Sequence, residues 1–113
     1  MTDSFLIIAL AHLGTGAVMF AAFLPLLFDR IPPNRWYGVR FAKSFSSTAN
    51  WYAINRQGAR YFLPWAALMC IVGGIELMLP TSPPLWLQLL LGHLVLLVLP
   101  LPLIQTWRFA QRL

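Results

Sequence analysis

Residues 29–43 read DRIPPNRWYGVRFAK, and the chain changes character on either side of them. Arg30, Arg35, Arg40 and Lys43 are half of the eight basic residues, mixed here with Pro32, Pro33, Gly38, Trp36, Tyr37 and Phe41. Working outward, residues 5–28 carry no formal charge and one histidine, His12. Residues 61–79 are interrupted only by Glu76, and residues 85–107 are uncharged but contain His93, Pro100 and Pro102. Each run meets the roughly 20 apolar residues that a helix needs to cross a bilayer core.

Composition identifies the solvent. Of 113 residues, 59% are hydrophobic and 10% charged, against about 45–50% and about 25% in a soluble domain. A fold this short buries only about 60–70% of the surface its chain exposes, so the excess must face lipid. We therefore expect an all-α integral membrane protein forming one domain over residues 1–113. Three transmembrane helices are expected at about 5–28, 61–79 and 85–107, with a structured basic loop at about 29–60. The first run reads as a retained helix: it has no basic leader and exceeds the usual ~7–15-residue apolar core of a signal peptide. Cys70 stands alone, which excludes an intramolecular disulfide and a cysteine-rich metal site.

Charge gives an orientation. Arg30, Arg35, Arg40, Lys43, Arg56 and Arg60 lie between the first two runs, and Arg108 and Arg112 follow the third. The other side holds Asp3 and the uncharged turn 80–84. The positive-inside rule then puts the N-terminus outside and the C-terminus and loop in the cytoplasm. The net charge of +5 does not argue for nucleic acid, because it sits where topology alone would put it. Anionic headgroups, attracting each nearby basic residue by about 1 kcal/mol, are the simpler partner.

The loop has internal order to explain. Pro32 and Pro33 are expected to end the first helix, and Gly38 to permit a positive φ. In its second half, Ser46 or Ser47 is placed to cap a helix. Trp51 and Ile54 share one face of it. That helix either rests on the headgroups and hinges at Gly58, or continues into the second span with Gly58 tolerated at about 1 kcal/mol.

Ile31-Pro32-Pro33-Asn34-Arg35-Trp36-Tyr37-Gly38-Val39-Arg40, followed by Trp51 and by Asn55-Arg56, resembles the signature of the SdpI family. In that family an "IPxNxxyGxR" run leads to a tryptophan and an "NR" pair, and the spacing matches here without a gap. The resemblance implies a bacterial multipass inner-membrane protein with a non-enzymatic role in toxin immunity or envelope protection, of a form shorter than members with additional helices. The signature maps onto Pro32, Asn34, Gly38, Arg40, Trp51, Asn55 and Arg56. The chain departs from it at Arg40-Phe41-Ala42, where members often read Arg-Thr-Pro, and at Ser46-Ser47-Thr48-Ala49, where an acidic cap is replaced.

Two constellations bear on function. The basic residues of the loop, with Asn34 and Asn55, either converge on a lipid phosphate or other anionic partner, or mark topology alone; Arg35 and Arg40 offer the forked donors that suit phosphate. Within the membrane, His12, Glu76 and His93 fall about 10, 5 and 12 Å from the outer ends of their helices. They either form a polar cluster for proton relay or ligand recognition, or pack individually through interhelical hydrogen bonds. Their spacing shows no metal-ligand motif, and no catalytic, cofactor or metal residue is expected. Gly14, Gly16, Gly73, Gly74 and Gly92 suggest close helix packing in the same half. The expected partners are anionic membrane lipids, a peptide toxin or soluble regulator, and a second copy of the chain. The rival function is a small transport or lipid-handling protein built on the polar cluster.

Overall fold

The uncharged first run forms helix α1, Asp3–Leu27, with Asp3 in its first turn, where an acidic group suits the helix dipole. The helix closes before the prolines that were expected to stop it. Asp29 takes a positive φ of 56°. Its N–H bonds the Leu26 carbonyl at 3.4 Å, while the Arg30 N–H bonds that of Pro25 at 3.0 Å. This is a Schellman closure with an aspartate in the left-handed position. The computed structural model describes residues 3–93 and 95–113, with Val95 and Leu97 described by backbone only.

Helix α2 runs unbroken from Thr48 to Met78, capped by Ser47, whose side chain accepts from the Asn50 N–H. The connection is therefore 28–47 rather than 29–60, and it contains one 3-10 turn, Ala42–Phe45. No separate interfacial helix forms. Gly58 and Pro64 both lie inside α2, and Gly58 is buried where the loop and the last helix press on it. A Cβ there would fall 3.1 Å from Val39 and 3.2 Å from Thr106.

The third apolar run is not one helix. It divides into α3 (Leu85–Gly92), α4 (Val95–Val98) and α5 (Pro100–Gln111). One break falls at His93 and the next at Leu99, just before a proline that has no N–H to give. The segments still pass from one end of the fold to the other. α3 lies beside the start of α1, where Ser4 Oγ approaches Gln88 Oε1 at 3.4 Å. α5 lies antiparallel to the start of α2, with Thr106 against Gly58 and Ala110 against Ile54.

α1 and α2 cross antiparallel at two points where side chains are missing. A Cβ at Gly16 would fall 2.7 Å from Ala66 O, and one at Gly73 would fall 2.6 Å from Leu13 N. Gly14 and Gly74 face open space, and Gly92 meets only the tip of Ile8, so the close packing falls on two of the five glycines. Between the crossings and the loop, Met19, Phe62, Ala66, Met69 and Val98 form a core, with Phe23 stacked on Phe62 at 4.2 Å between ring centroids.

The protein is an all-helical membrane protein with two helices, α1 and α2, long and apolar enough to cross a bilayer. Only 28% of the most apolar stretch of each is buried. Ile7, Val18, Ile71 and Ile75 are all more than half exposed, as lipid-facing positions would be. The fold is 52 Å long, comparable with the ~40–45 Å of a bilayer with its headgroups.

Candidate functional site

At the loop end, the signature side chains bond mainly to one another's backbone. Asn34 uses all four of its hydrogen-bonding positions locally. Its Oδ1 accepts from the N–H groups of Trp36 and Tyr37 at 2.8 and 2.7 Å. Its Nδ2 donates to the carbonyls of Pro32 and Tyr37 at 2.8 and 3.0 Å. Asn55, buried on α2, accepts from the Val39 N–H at 2.6 Å and donates to the Trp51 carbonyl at 2.9 Å. Gly38, at φ 122°, brings the loop so close to Asn55 that a Cβ would lie 2.7 Å from its Oδ1. Trp51 is fully buried and donates from Nε1 to the Ile31 carbonyl at 2.9 Å. The Tyr37 hydroxyl donates to the Ala22 carbonyl of α1. Loop, α1 and α2 are thus joined by buried and partly buried polar contacts.

The arginines divide. Arg56 forks onto Asp29, with Nη2–Oδ2 at 2.8 Å and Nε–Oδ1 at 3.2 Å. This ion pair clasps the end of α1 to α2, and sequence reading missed it because the partners stand far apart in the chain. Arg40 donates one guanidinium N–H to the Arg35 carbonyl, while both side chains stay exposed. With Phe45 they line an open cleft of about 620 Å³.

The opposite end holds a buried pair. His12 is fully buried and Glu76 3% exposed, and His12 Nδ1 bonds Glu76 Oε1. His12 Nε2 lies 2.9 Å from the Leu91 carbonyl oxygen of α3. A carbonyl can only accept, so Nε2 carries a proton. One further proton then lies between Nδ1 and Oε1. With it on the imidazole the pair is His⁺/Glu⁻, and with it on the carboxyl both groups are neutral. Either arrangement has zero net charge, which suits a site away from water. Among the described residues, Glu76 Oε2 is a buried side-chain oxygen without a hydrogen-bond partner. His93 does not join the pair. It lies in the turn after α3, exposed, with Nδ1 donating to the Leu89 carbonyl at 2.6 Å. No third histidine, cysteine or carboxylate among the described residues completes a metal-binding group.

A family model, that of the SdpI/YfhL protein family, matches residues 30–104. The chain belongs to this family. The SdpI/YfhL match takes in Pro32, Asn34, Gly38, Arg40, Trp51, Asn55, Arg56, Glu76 and His93, but not His12 or Asp29. Within the family segment, Pro32 supplies a carbonyl to Asn34, while Asn34, Gly38, Trp51 and Asn55 meet around the loop. Arg56 is engaged elsewhere and Arg40 faces out. Each half of the remaining pairings, Asp29 to Arg56 and His12 to Glu76, brings a residue outside the family segment to one inside it. No curated protein and no solved structure matches the chain.

Proposed function

We propose that this SdpI/YfhL protein is a non-enzymatic binding protein of the bacterial inner membrane that protects the envelope against a membrane-active toxin. Family membership supports this reading, since the resemblance to the SdpI family implies such a role. The observation that carries the binding reading is the loop, whose asparagines bond to backbone and whose Arg35 and Arg40 face out around a cleft. The buried hydroxyls support this reading over catalysis: Ser44 accepts from the Phe41 N–H and Thr106 donates to the Pro102 carbonyl.

In this reading the chain crosses the bilayer three times, with its N-terminus outside and its C-terminus and loop in the cytoplasm. The broken run of α3, α4 and α5 makes the third crossing. Support comes from α5, which packs on the loop end of α2 through Ala110 and so brings Arg108 and Arg112 to the end that holds the other six basic residues. The loop is then available to anionic lipid or a soluble regulator, and the outer end to a peptide toxin or a second copy.

Expression in a toxin-sensitive host tests the role. Survival should rise on challenge with membrane-active peptides, and Gly38→Val, which closes the turn on Asn55, should remove the protection. Unchanged survival across such peptides would refute the immunity reading. The second reading, a transport or lipid-handling protein, is favoured by Glu76 Oε2, buried without a described partner beside a shared proton. Flux in proteoliposomes that varies with pH and is lost in Glu76→Gln would select it.

A further inference from the structure

The charges of the loop leave an imbalance that the chain's own side chains do not cancel. There are three side-chain carboxylates. Asp29 is bound by Arg56, Glu76 by His12, and Asp3 lies at the opposite end of α1. Arg35 and Arg40 therefore face their cleft with no acidic side chain to pair with. They are also held in relation to each other. The Arg40 guanidinium is tied to the Arg35 carbonyl by one N–H, which leaves its other donors free to turn outward. The turn beneath them is fixed by the four bonds of Asn34.

The turn that carries Arg35 also lines an apolar groove. A groove of about 190 Å³ is lined by Ala22, Phe23, Leu26, Trp36, Tyr37 and Gly38. Consecutive residues of one turn thus serve both: Arg35 the charged cleft, and Trp36, Tyr37 and Gly38 the apolar groove. Trp36 is 88% exposed, the level expected of an indole that rests among headgroups rather than in a core. A free anion would use only the first of these surfaces. An amphiphile with a phosphate beside an acyl chain would use both.

We infer that this turn is a binding site for an anionic phospholipid, with the phosphate forked by Arg35 and Arg40 and an acyl chain along the Trp36–Tyr37 groove. The inference rests on the membrane reading above, which puts the loop at headgroup depth. It does not depend on immunity or on which face the loop occupies.

The test uses the full chain in detergent micelles, titrated with phosphatidylglycerol and followed by Trp fluorescence or native mass spectrometry. Phosphatidylcholine and inorganic phosphate serve as competitors. Arg35→Lys keeps the charge and removes the fork, and should weaken phosphatidylglycerol binding by about tenfold. Trp36→Ala should weaken it as well, while Lys43→Arg should leave it unchanged. Equal binding by Arg35→Lys and the unmodified protein would overturn the site in favour of diffuse charge attraction. Displacement by inorganic phosphate as effective as by lipid would overturn the amphiphile in favour of a free anion, and equal affinity for phosphatidylcholine would overturn the anionic requirement. A thermal melt of each variant separates these results from misfolding. Micelles present lipid from all sides, so a wrong orientation in the membrane would leave this result standing and show only in labelling of intact cells.

Discussion

Asn55 and Glu76 lie on the same helix, roughly six turns apart, and each is buried. The Asn55 side chain is bonded to the backbone of Val39 and Trp51. Glu76 shares one oxygen with His12, and its other oxygen has no described partner. The first arrangement makes a fixed structure, because backbone groups neither titrate nor leave. The second holds two helices together through a side-chain pair, His12 on α1 and Glu76 on α2. The comparison teaches that a buried polar residue in this chain is not one kind of evidence. At the loop end the asparagines hold the turn that carries Arg35 and Arg40, and at the other end two polar residues bond to each other across two helices.

The sharpest way to break this contrast is to remove one member of the pair. His12→Ala leaves a carboxyl buried without its partner and should cost about 3–5 kcal/mol, read as a fall in the melting temperature in detergent. Glu76→Gln keeps a neutral donor to Nδ1 and should cost under about 1 kcal/mol. If both variants melt like the unmodified protein, the pair does not join α1 to α2. Next in size is Asn55→Ala, which strands the buried Val39 N–H and should cost roughly 2–3 kcal/mol. Proteolysis of the loop should rise with it, and a loop that stays resistant would show that Asn55 is not its anchor.

Gly73→Ala should cost about 1–3 kcal/mol by pushing α1 from α2. Gly74→Ala, with nothing within 4 Å, should instead be neutral or gain up to about 1 kcal/mol. The reverse order would contradict the crossing at Gly73. The smallest effect belongs to Arg56→Ala. Its ion pair with Asp29 is about 40% exposed on each side, so a loss of at most about 1 kcal/mol, shrinking in high salt, is expected. A larger loss, insensitive to salt, would mean that Arg56 acts through packing.

The class of the protein was legible because composition reports solvent directly, and the loop stood out because its signature is dense. What the loop residues do was less legible. A motif names Asn34 and Asn55 without saying whether their amides face a ligand or the backbone, and both are engaged by backbone. The start of α2 reads equally as a separate element or as part of a continuous helix, because Asn55, Arg56 and Arg60 lower the local hydropathy while leaving the helix intact. The breaks at His93 and Leu99 were hidden by the opposite effect, since the apolar run continues through them. Helix rise alone set His12 and Glu76 at similar depth, but it assumed a straight third helix and so grouped His93 with them. The Asp29–Arg56 clasp joins residues on either side of the loop, and nothing local announces it.

In the proposed topology the broken run from α3 to α5 passes from one face of the membrane to the other and gathers every basic residue on one side. Single substitutions Thr81→Cys, Arg40→Cys and Arg112→Cys, each in a Cys70→Ser background, test it by labelling with a membrane-impermeant thiol reagent. Thr81→Cys should react in intact cells, while Arg40→Cys and Arg112→Cys should react only after the membrane is opened. Reaction of Thr81→Cys and Arg112→Cys from the same side would contradict it.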